Sequence, residues 1–373
     1  MPKLMSWPGR RSIIPRTVTA MKCQRKFSPG TPAKIQKSLP PGRVKPNFSR
    51  HIAQVCNLKC DYCGADGDGS YGSDTPKIDT SKVFEQLQAM FKNLDPGDSF
   101  KLHFLGGEPL LYPQALKAIA RDANLLAAGR NIHLHFSVTT NGTLISPKTA
   151  ELLAELKAFV IVSLDGPPEI NNRFRPTKRK DFNSTELTEK GISELKRVRN
   201  SLAGFAINCV VGHHNTDLLS SYKFFLQFAP EYVNFIFAAS QGDEEQSKNF
   251  VQEHETLLAW IVENQGFEAL YRVRPFADAL NRLDRKIRTA NHCGAGKSLL
   301  QMDTKGDLYA CNWFMNDQKE SVGHAGQVDP NQKAKFSKDL IDLHDCGSCW
   351  ARYLCGGGCM FVNFEKTGEK HRK

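Results

Sequence analysis

Nine of the eleven cysteines in this 373-residue chain fall into two groups whose spacing suits metal chemistry. Cys56, Cys60 and Cys63 are spaced C-x3-C-x2-C, with the aromatic Tyr62 just before the third thiol. Three thiols in one short loop fit a small inorganic core held at three corners. A four-iron cluster held this way keeps its fourth iron open to an outside ligand. Zinc is the bland alternative, but structural zinc closes four positions by pairing C-x2-C with a second Cys or His pair. No such pair occurs in the forty residues after Cys63.

The second group begins at Cys293. Gly306-x4-Cys311 follows, then Cys346-x2-Cys349-x5-Cys355-x3-Cys359, with Gly356 to Gly358 permitting tight wrapping. Six more thiols exceed one four-ligand site, so at least two metal centres are expected in the chain. Of the remaining two, Cys209 alternates inward on a predicted strand and reads as a buried apolar thiol, and Cys23 lies in the N-terminal segment. Tight cysteine groups suit metal ligation better than disulfides and point to a reducing compartment, the cytoplasm. His213, His214 and His292 are assigned no role.

Further candidate groups end short apolar runs. Gly106-Gly107-Glu108-Pro109 offers two glycines that allow close backbone approach and a carboxylate that can accept from an ammonium group. Thr139-Thr140-Asn141-Gly142 and Ser163-Leu164-Asp165-Gly166 place amide, hydroxyl and carboxylate groups where a ribose and a carboxylate need partners. Asn-Gly and Asp-Gly pairs also simply make turns. Arg173 and Arg175 follow, and either could neutralise a carboxylate.

The elements that position these residues alternate between short apolar runs and longer amphipathic segments, as in βα units on a parallel sheet. Strands are predicted at 50–55, 100–105, 132–138, 159–164, 205–211 and 232–237. Helices are predicted at 81–94, 113–128, 147–156, 184–198 and 217–228, with Thr80 and Ser146 as N-caps and Pro113 and Pro147 in first turns. The fold class is α/β. Residues 46–240 are expected to form the sheet domain, 241–290 a helical connector with its clearest helix at 253–265, and 291–373 a cysteine-rich domain.

The net charge of +11 suggests nucleic acid until it is located. Residues 1–50 hold twelve Lys and Arg and no Asp or Glu, which leaves 38 basic against 39 acidic residues elsewhere. A neutral body argues against a nucleic-acid partner. Eight prolines in the same segment predict a disordered arm over residues 1–45. A transit peptide or an extension from a misassigned start codon would read similarly. No apolar run reaches membrane-spanning length, so no membrane partner is expected.

The three-cysteine loop with Tyr62, followed one strand later by Gly106-Gly107-Glu108-Pro109, resembles the radical S-adenosylmethionine (radical SAM) enzymes. The later cysteines resemble the SPASM extension, and the two resemblances together cover nearly all of residues 50–360. The resemblance implies a partial, six-stranded TIM-type barrel followed by a small auxiliary cluster domain. It implies S-adenosylmethionine and up to three [4Fe–4S] clusters, one catalytic at Cys56, Cys60 and Cys63 and two auxiliary. Reductive cleavage of S-adenosylmethionine would give a 5′-deoxyadenosyl radical that abstracts hydrogen from a peptide or protein substrate. Gly106, Gly107, Glu108, Asn141, Ser163 and Asp165, with Tyr62, would meet S-adenosylmethionine. Cys293, Cys311 and Cys359 would hold the first auxiliary cluster, with Leu299 near where some relatives place a fourth thiol. Cys346, Cys349 and Cys355 would hold the second, for which the family pattern asks for a further cysteine downstream: either the chain is cut short or Glu365, Glu369 or His371 substitutes. A reduced flavodoxin or ferredoxin would supply electrons. The N-terminal segment is too short and proline-rich for the peptide-recognition module of some relatives, so a separate recognition protein is an expected partner.

The run from Gly64 to Gly72 and the run from Cys349 to Gly356 resemble thioether-forming peptide maturases and quinohemoprotein amine dehydrogenase maturases. Sulfatase-maturing relatives carry an aspartate base after the cysteine equivalent to Cys311, where this chain has Asn312, which takes no proton at neutral pH. Sulfatase-maturase-like oxidation of a Cys or Ser side chain is the alternative activity. A non-catalytic zinc or iron–sulfur protein is the alternative of another class.

Overall fold

Strand β1 (Asn47–Ala53) lies between the first and the last parts of the sheet. The computed structural model describes residues 47–370, apart from 66, 69–70, 72–76, 213–214, 239–242, 316 and 344–345. The basic segment 1–45, Cys23, His213, His214 and His371 lie outside the described residues.

β1, β2 (Ser99–Gly106), β3 (His133–Thr140), β4 (Phe159–Ser163), β5 (Gly204–Val211) and β6 (Val233–Phe237) pair in sequence order and all parallel. These are the six predicted strands, shifted by at most three residues at an end. Helices α1 (Val83–Phe91), α2 (Pro113–Ala128), α3 (Pro147–Glu155), α4 (Pro168–Phe174), α5 (Ser184–Arg197) and α6 (Leu218–Leu226) run between them. Apolar strand residues such as Leu102, Phe104, Val160 and Ile207 are fully buried with helix residues Leu116, Leu153 and Ile192 in one core. Phe91 of α1 meets Phe100 of β2 at a ring separation of 4.8 Å.

Ser146 caps α3 by accepting from the Thr149 amide, an interaction worth about 1 kcal/mol. The cap expected at Thr80 is supplied by Asp79 instead, because Thr80 opens a 3-10 turn ahead of α1. α4 had no signal in the sequence. Its run Pro168–Phe174 is polar and only seven residues long.

Between β6 and the second cysteine group the chain is helical, with α7 (Glu244–Gln265) and α8 (Arg274–Asp284) joined by a 3-10 turn. β7 (Leu299–Met302) then pairs parallel with the free edge of β1, Ser49 opposite Gln301. β8 (Asp307–Tyr309), β9 (Ser321–His324) and β10 (Gln327–Val328) continue antiparallel, giving one open ten-stranded sheet. The six-stranded sheet expected from the sequence is thus extended by the segment expected to form a separate small domain. The Asp303 carboxylate makes the β7–β8 turn by accepting from the Gly306 and Asp307 amides, both at 2.8 Å. Among the described residues no helix is long and apolar enough to cross a membrane.

Candidate active site

The loop after β1 carries Cys56, Cys60 and Cys63 across the C-terminal ends of β2, β3 and β4. Its backbone is bonded on every side. Gly107 and Glu108 amides donate to Ala53 and Val55, Lys59 and Asp61 amides donate to Pro176 and Phe174, and the Lys178 amide donates to Asn57. The Cys56 amide donates to Gly67, whose carbonyl also accepts from Lys178 Nζ at 2.6 Å.

These bonds explain the two glycines. A Cβ on Gly106 would stand 2.1 Å from the Ala53 carbonyl oxygen, and one on Gly107 would stand 2.2 Å from that of Val55. Gly106 also has φ +141, a conformation that side chains rarely adopt. The pair lets the cysteine loop pass directly over the end of β2.

Glu108 is fully buried. One carboxylate oxygen accepts from the Leu110 amide at 3.0 Å and the Thr140 hydroxyl at 2.8 Å, the other from the Asn141 amide at 2.8 Å. Burial pushes its pKa up, while those donors and Arg175 pull it back. Its geometry is that of a strut joining β2 to β3. Asn141 is equally committed. Its amide nitrogen donates to Asn57 Oδ1 at 2.9 Å and to Cys56 Sγ at 3.6 Å, and its oxygen accepts from the Thr143 amide and hydroxyl. Asn57 in turn donates to the Thr143 hydroxyl at 2.8 Å.

A second latch joins Tyr62 to β4. Its hydroxyl donates to Asp165 at 2.5 Å and accepts from Arg175, which lies 3.8 Å from the same carboxylate. Burial disfavours the Arg175 charge, but Cys60, Tyr62 and Asp165 outweigh it and raise its pKa. Of the two candidate arginines, Arg175 is buried here, whereas Arg173 is exposed and lies over the Phe174 ring. Ser163 is half-buried on the sheet face it shares with Asn208.

Cys311 interacts electrostatically with both Cys293 and Cys359. Cys346, Cys349 and Cys355 lie on a separate run, the first buried and the other two exposed. Gly356 and Gly357 take φ of +73 and +84, and a Cβ on either would strike the Asn291 or Leu340 backbone. Of the substitute ligands, Glu369 is exposed, and Glu365 is also exposed but acts on Tyr71.

Sequence reasoning gave Tyr71 and Trp313 no role, yet they join the two cysteine systems. Tyr71 lies within electrostatic reach of Cys311 and Cys63, and its hydroxyl donates to the Asn312 carbonyl at 2.7 Å. The Trp313 ring covers Gly64, where a Cβ would come within 2.7 Å of it, and stacks on Phe361 at 5.5 Å. No apolar periodicity marks these aromatics: Tyr71 stands among glycines and polar residues, and Trp313 in the three-residue 3-10 turn Asn312–Phe314.

The thiols fit metal-bound thiolates in one specific way. The Leu58 amide donates to Cys56 Sγ at 3.4 Å, and amides of Ala295 and Trp313 serve Cys293 and Cys311 likewise. In each case the donor is two residues after the cysteine, so three separate loops place an N–H where a cluster sulfur accepts one. Without iron, burial pushes Cys60 up to about 11 and Cys311 up to about 12, and raises Cys56 and Cys293. Iron loading must therefore displace protons from these sulfurs.

The fold and the site together are a parallel α/β sheet with a three-thiol loop latched across its C-terminal edge. Residues 51–218 match the radical SAM superfamily, whose members use S-adenosylmethionine and a [4Fe–4S] cluster. A cysteine-type anaerobic sulfatase-maturating enzyme of Clostridium perfringens is 26% identical over 333 residues, covering 82% of this chain and 85% of that protein. The mycofactocin maturase MftC of Mycobacterium ulcerans is 27% identical over 331 residues, covering 84% and 82%. The solved structure of native anSMEcpe with bound AdoMet shares the fold, with a TM-score of 0.72 at 20% identity over 87% of this chain and 94% of that one.

Proposed function

We propose that this chain is a radical SAM enzyme that matures a peptide, with its catalytic cluster on Cys56, Cys60 and Cys63 and an auxiliary cluster on Cys293, Cys311 and Cys359. The observation that carries this reading is the link between the two thiol sets: Tyr71 lies within electrostatic reach of both Cys63 and Cys311, and Trp313 covers Gly64. When bound, the catalytic cluster supplies one-electron cleavage of S-adenosylmethionine and thereby a hydrogen-abstracting radical. Asn141 and the Leu58 amide hold Cys56 by its sulfur. Tyr62, Asp165 and Arg175 fix the other end of the loop. Gly106, Gly107 and Ser163, none of them fully buried, would meet S-adenosylmethionine, while Glu108, Asn141 and Asp165 hold the surrounding loops in place.

The bond formed is, in this proposal, a thioether from a peptide cysteine to carbon. An open position on three-thiolate auxiliary iron suits a substrate sulfur, and Asn312 offers no base. The sulfatase-maturating relative supports a second reading, oxidation of a Cys or Ser side chain to an aldehyde. Changing Cys56, Cys60 and Cys63 together to Ala should abolish 5′-deoxyadenosine formation while the auxiliary iron stays. Retained formation sinks the catalytic assignment. Cys359→Ala should still cleave S-adenosylmethionine but yield no cross-linked peptide. A product that reacts with hydrazide as an aldehyde, its peptide carrying no thioether, selects the second reading.

A further inference from the structure

The seven parallel strands β1 to β7 contain no Asp or Glu. Their helix-facing residues, such as Phe48, Leu102, Phe104 and Val138, belong to the apolar core. The opposite face is polar. Strand pairing aligns Gln301, Ser49, His103 and Ser137 in one row across β7, β1, β2 and β3. Lys101 and His51 stand on the same face, two residues before His103 and two after Ser49.

Three atoms of this face, His51 Nε2, the Ser137 hydroxyl and Gln301 Oε1, are buried and have no hydrogen-bond partner among the described residues. Buried polar groups are ordinarily paired, so three on one face point to a ligand that pairs them. The charges point the same way. Lys101 is exposed and has no carboxylate partner among the described residues, and the charge acting on it is Arg274, another base. Arg274 is itself balanced by Asp278 at 3.4 Å. Burial, then Lys101, holds His103 down to about 4, and burial, then Arg50 and His103, holds His51 down to about 3. Each base here has another base as its charged neighbour and no acid.

We propose that this face holds an acidic side chain of the peptide substrate, its carboxylate beside Lys101 and hydrogen-bonded by His51, Ser137 and Gln301. The proposal rests on the peptide-maturase reading above and names the group by which the peptide is recognised. A carboxylate only accepts, and it takes N–H or O–H from the imidazole, the hydroxyl and the Gln301 amide turned to present its nitrogen. A neutral amide ligand would fill those bonds but leave Lys101 without a counter-charge. His103 and Ser137 stand three residues, about 10 Å, before the ends of β2 and β3 over which the cysteine loop passes. A side chain reaching this row therefore keeps its own backbone under that loop.

The test is calorimetric titration of the iron-loaded full chain with three small probes. N-acetylglutamate α-amide carries a side-chain carboxylate, N-acetylglutamine a C-terminal one, and N-acetylglutamine α-amide neither. The first should bind about tenfold or more tightly than the third, and Lys101→Gln should remove most of that preference. Ser137→Ala should weaken the first probe about threefold, with iron content and thermal midpoint as folding controls for both variants. Equal binding of the neutral probe overturns the proposal in favour of an amide site. Tightest binding of N-acetylglutamine overturns it in favour of the peptide's C-terminus, and displacement of the first probe by S-adenosylmethionine in favour of that cofactor's carboxylate. No binding of any probe up to about 50 mM, in protein that cleaves S-adenosylmethionine with dithionite, overturns the proposal alone. Absence of dithionite-driven cleavage in the unaltered protein instead overturns the reading on which it rests.

Discussion

The hydroxyl of Tyr71 donates to the carbonyl of Asn312 at 2.7 Å, so the loop after Cys63 is tied to the residue after Cys311. These residues lie 241 apart in sequence. One hydrogen bond therefore spans the two proposed cluster sites.

Tyr71→Phe keeps the ring and removes this tie, which is worth about 1 kcal/mol or about fivefold in an equilibrium. Cleavage of S-adenosylmethionine should persist, while cross-linked peptide per 5′-deoxyadenosine falls about fivefold. An unchanged ratio would show that the tie plays no part in coupling.

Gly107→Ala should be far more damaging than Gly97→Ala. At Gly107 the new Cβ meets the Val55 carbonyl at 2.2 Å, whereas at Gly97 it meets nothing within 4 Å and strains only a φ of +87. The expected costs are about 3 kcal/mol or more against about 1 kcal/mol, read from urea unfolding midpoints. Comparable midpoints would mean that the cysteine loop can shift off β2.

Asn141→Ala deletes the side-chain bonds to Cys56, Asn57 and Thr143 at once. Iron at the catalytic site should fall, with auxiliary iron retained and the fold intact by circular dichroism. Full iron together with lost binding of S-adenosylmethionine would instead make Asn141 a direct contact for that cofactor.

Arg175→Lys replaces a buried guanidinium that serves Asp165 and Tyr62 together. A shorter point charge cannot reach both, and breaking a buried pair costs about 3–5 kcal/mol. Thermal unfolding should shift down by several degrees even in iron-free protein. A midpoint within a degree of the unaltered protein would contradict the latch between the loop and β4.

The six parallel strands and five of the six helices between them were legible because apolar runs of five to eight residues alternate with amphipathic ones; α4 was not. β7 to β10 were not, because they are two to four residues long and separated by glycine and aspartate turns. The metal-ligand candidates were read from cysteine spacing, and their division into sets from the family resemblance. Glu108 was read as a carboxylate that can accept from an ammonium group, and nothing in a Gly-Gly-Glu triplet reports the bonds it accepts from Leu110, Thr140 and Asn141. Tyr71 was invisible for a related reason. Its neighbours are glycines, serine and aspartates, and only the return of the chain through Asn312 gives it a partner.

The parallel pairing of β7 with β1 has a consequence for biogenesis. β1 is the first described strand to leave the ribosome, and β2 covers one of its edges about fifty residues later. The other edge must wait for β7, and the neighbouring bond between the Thr304 hydroxyl and Gln54 closes a separation of 250 residues. Throughout that interval the nascent sheet carries an open edge beside the cysteine loop, a surface that favours mispairing with other chains. Expression conditions that slow aggregation should therefore raise the yield of soluble protein more than those that merely supply iron, and shortened chains ending before Leu299 should be the most dependent on chaperones.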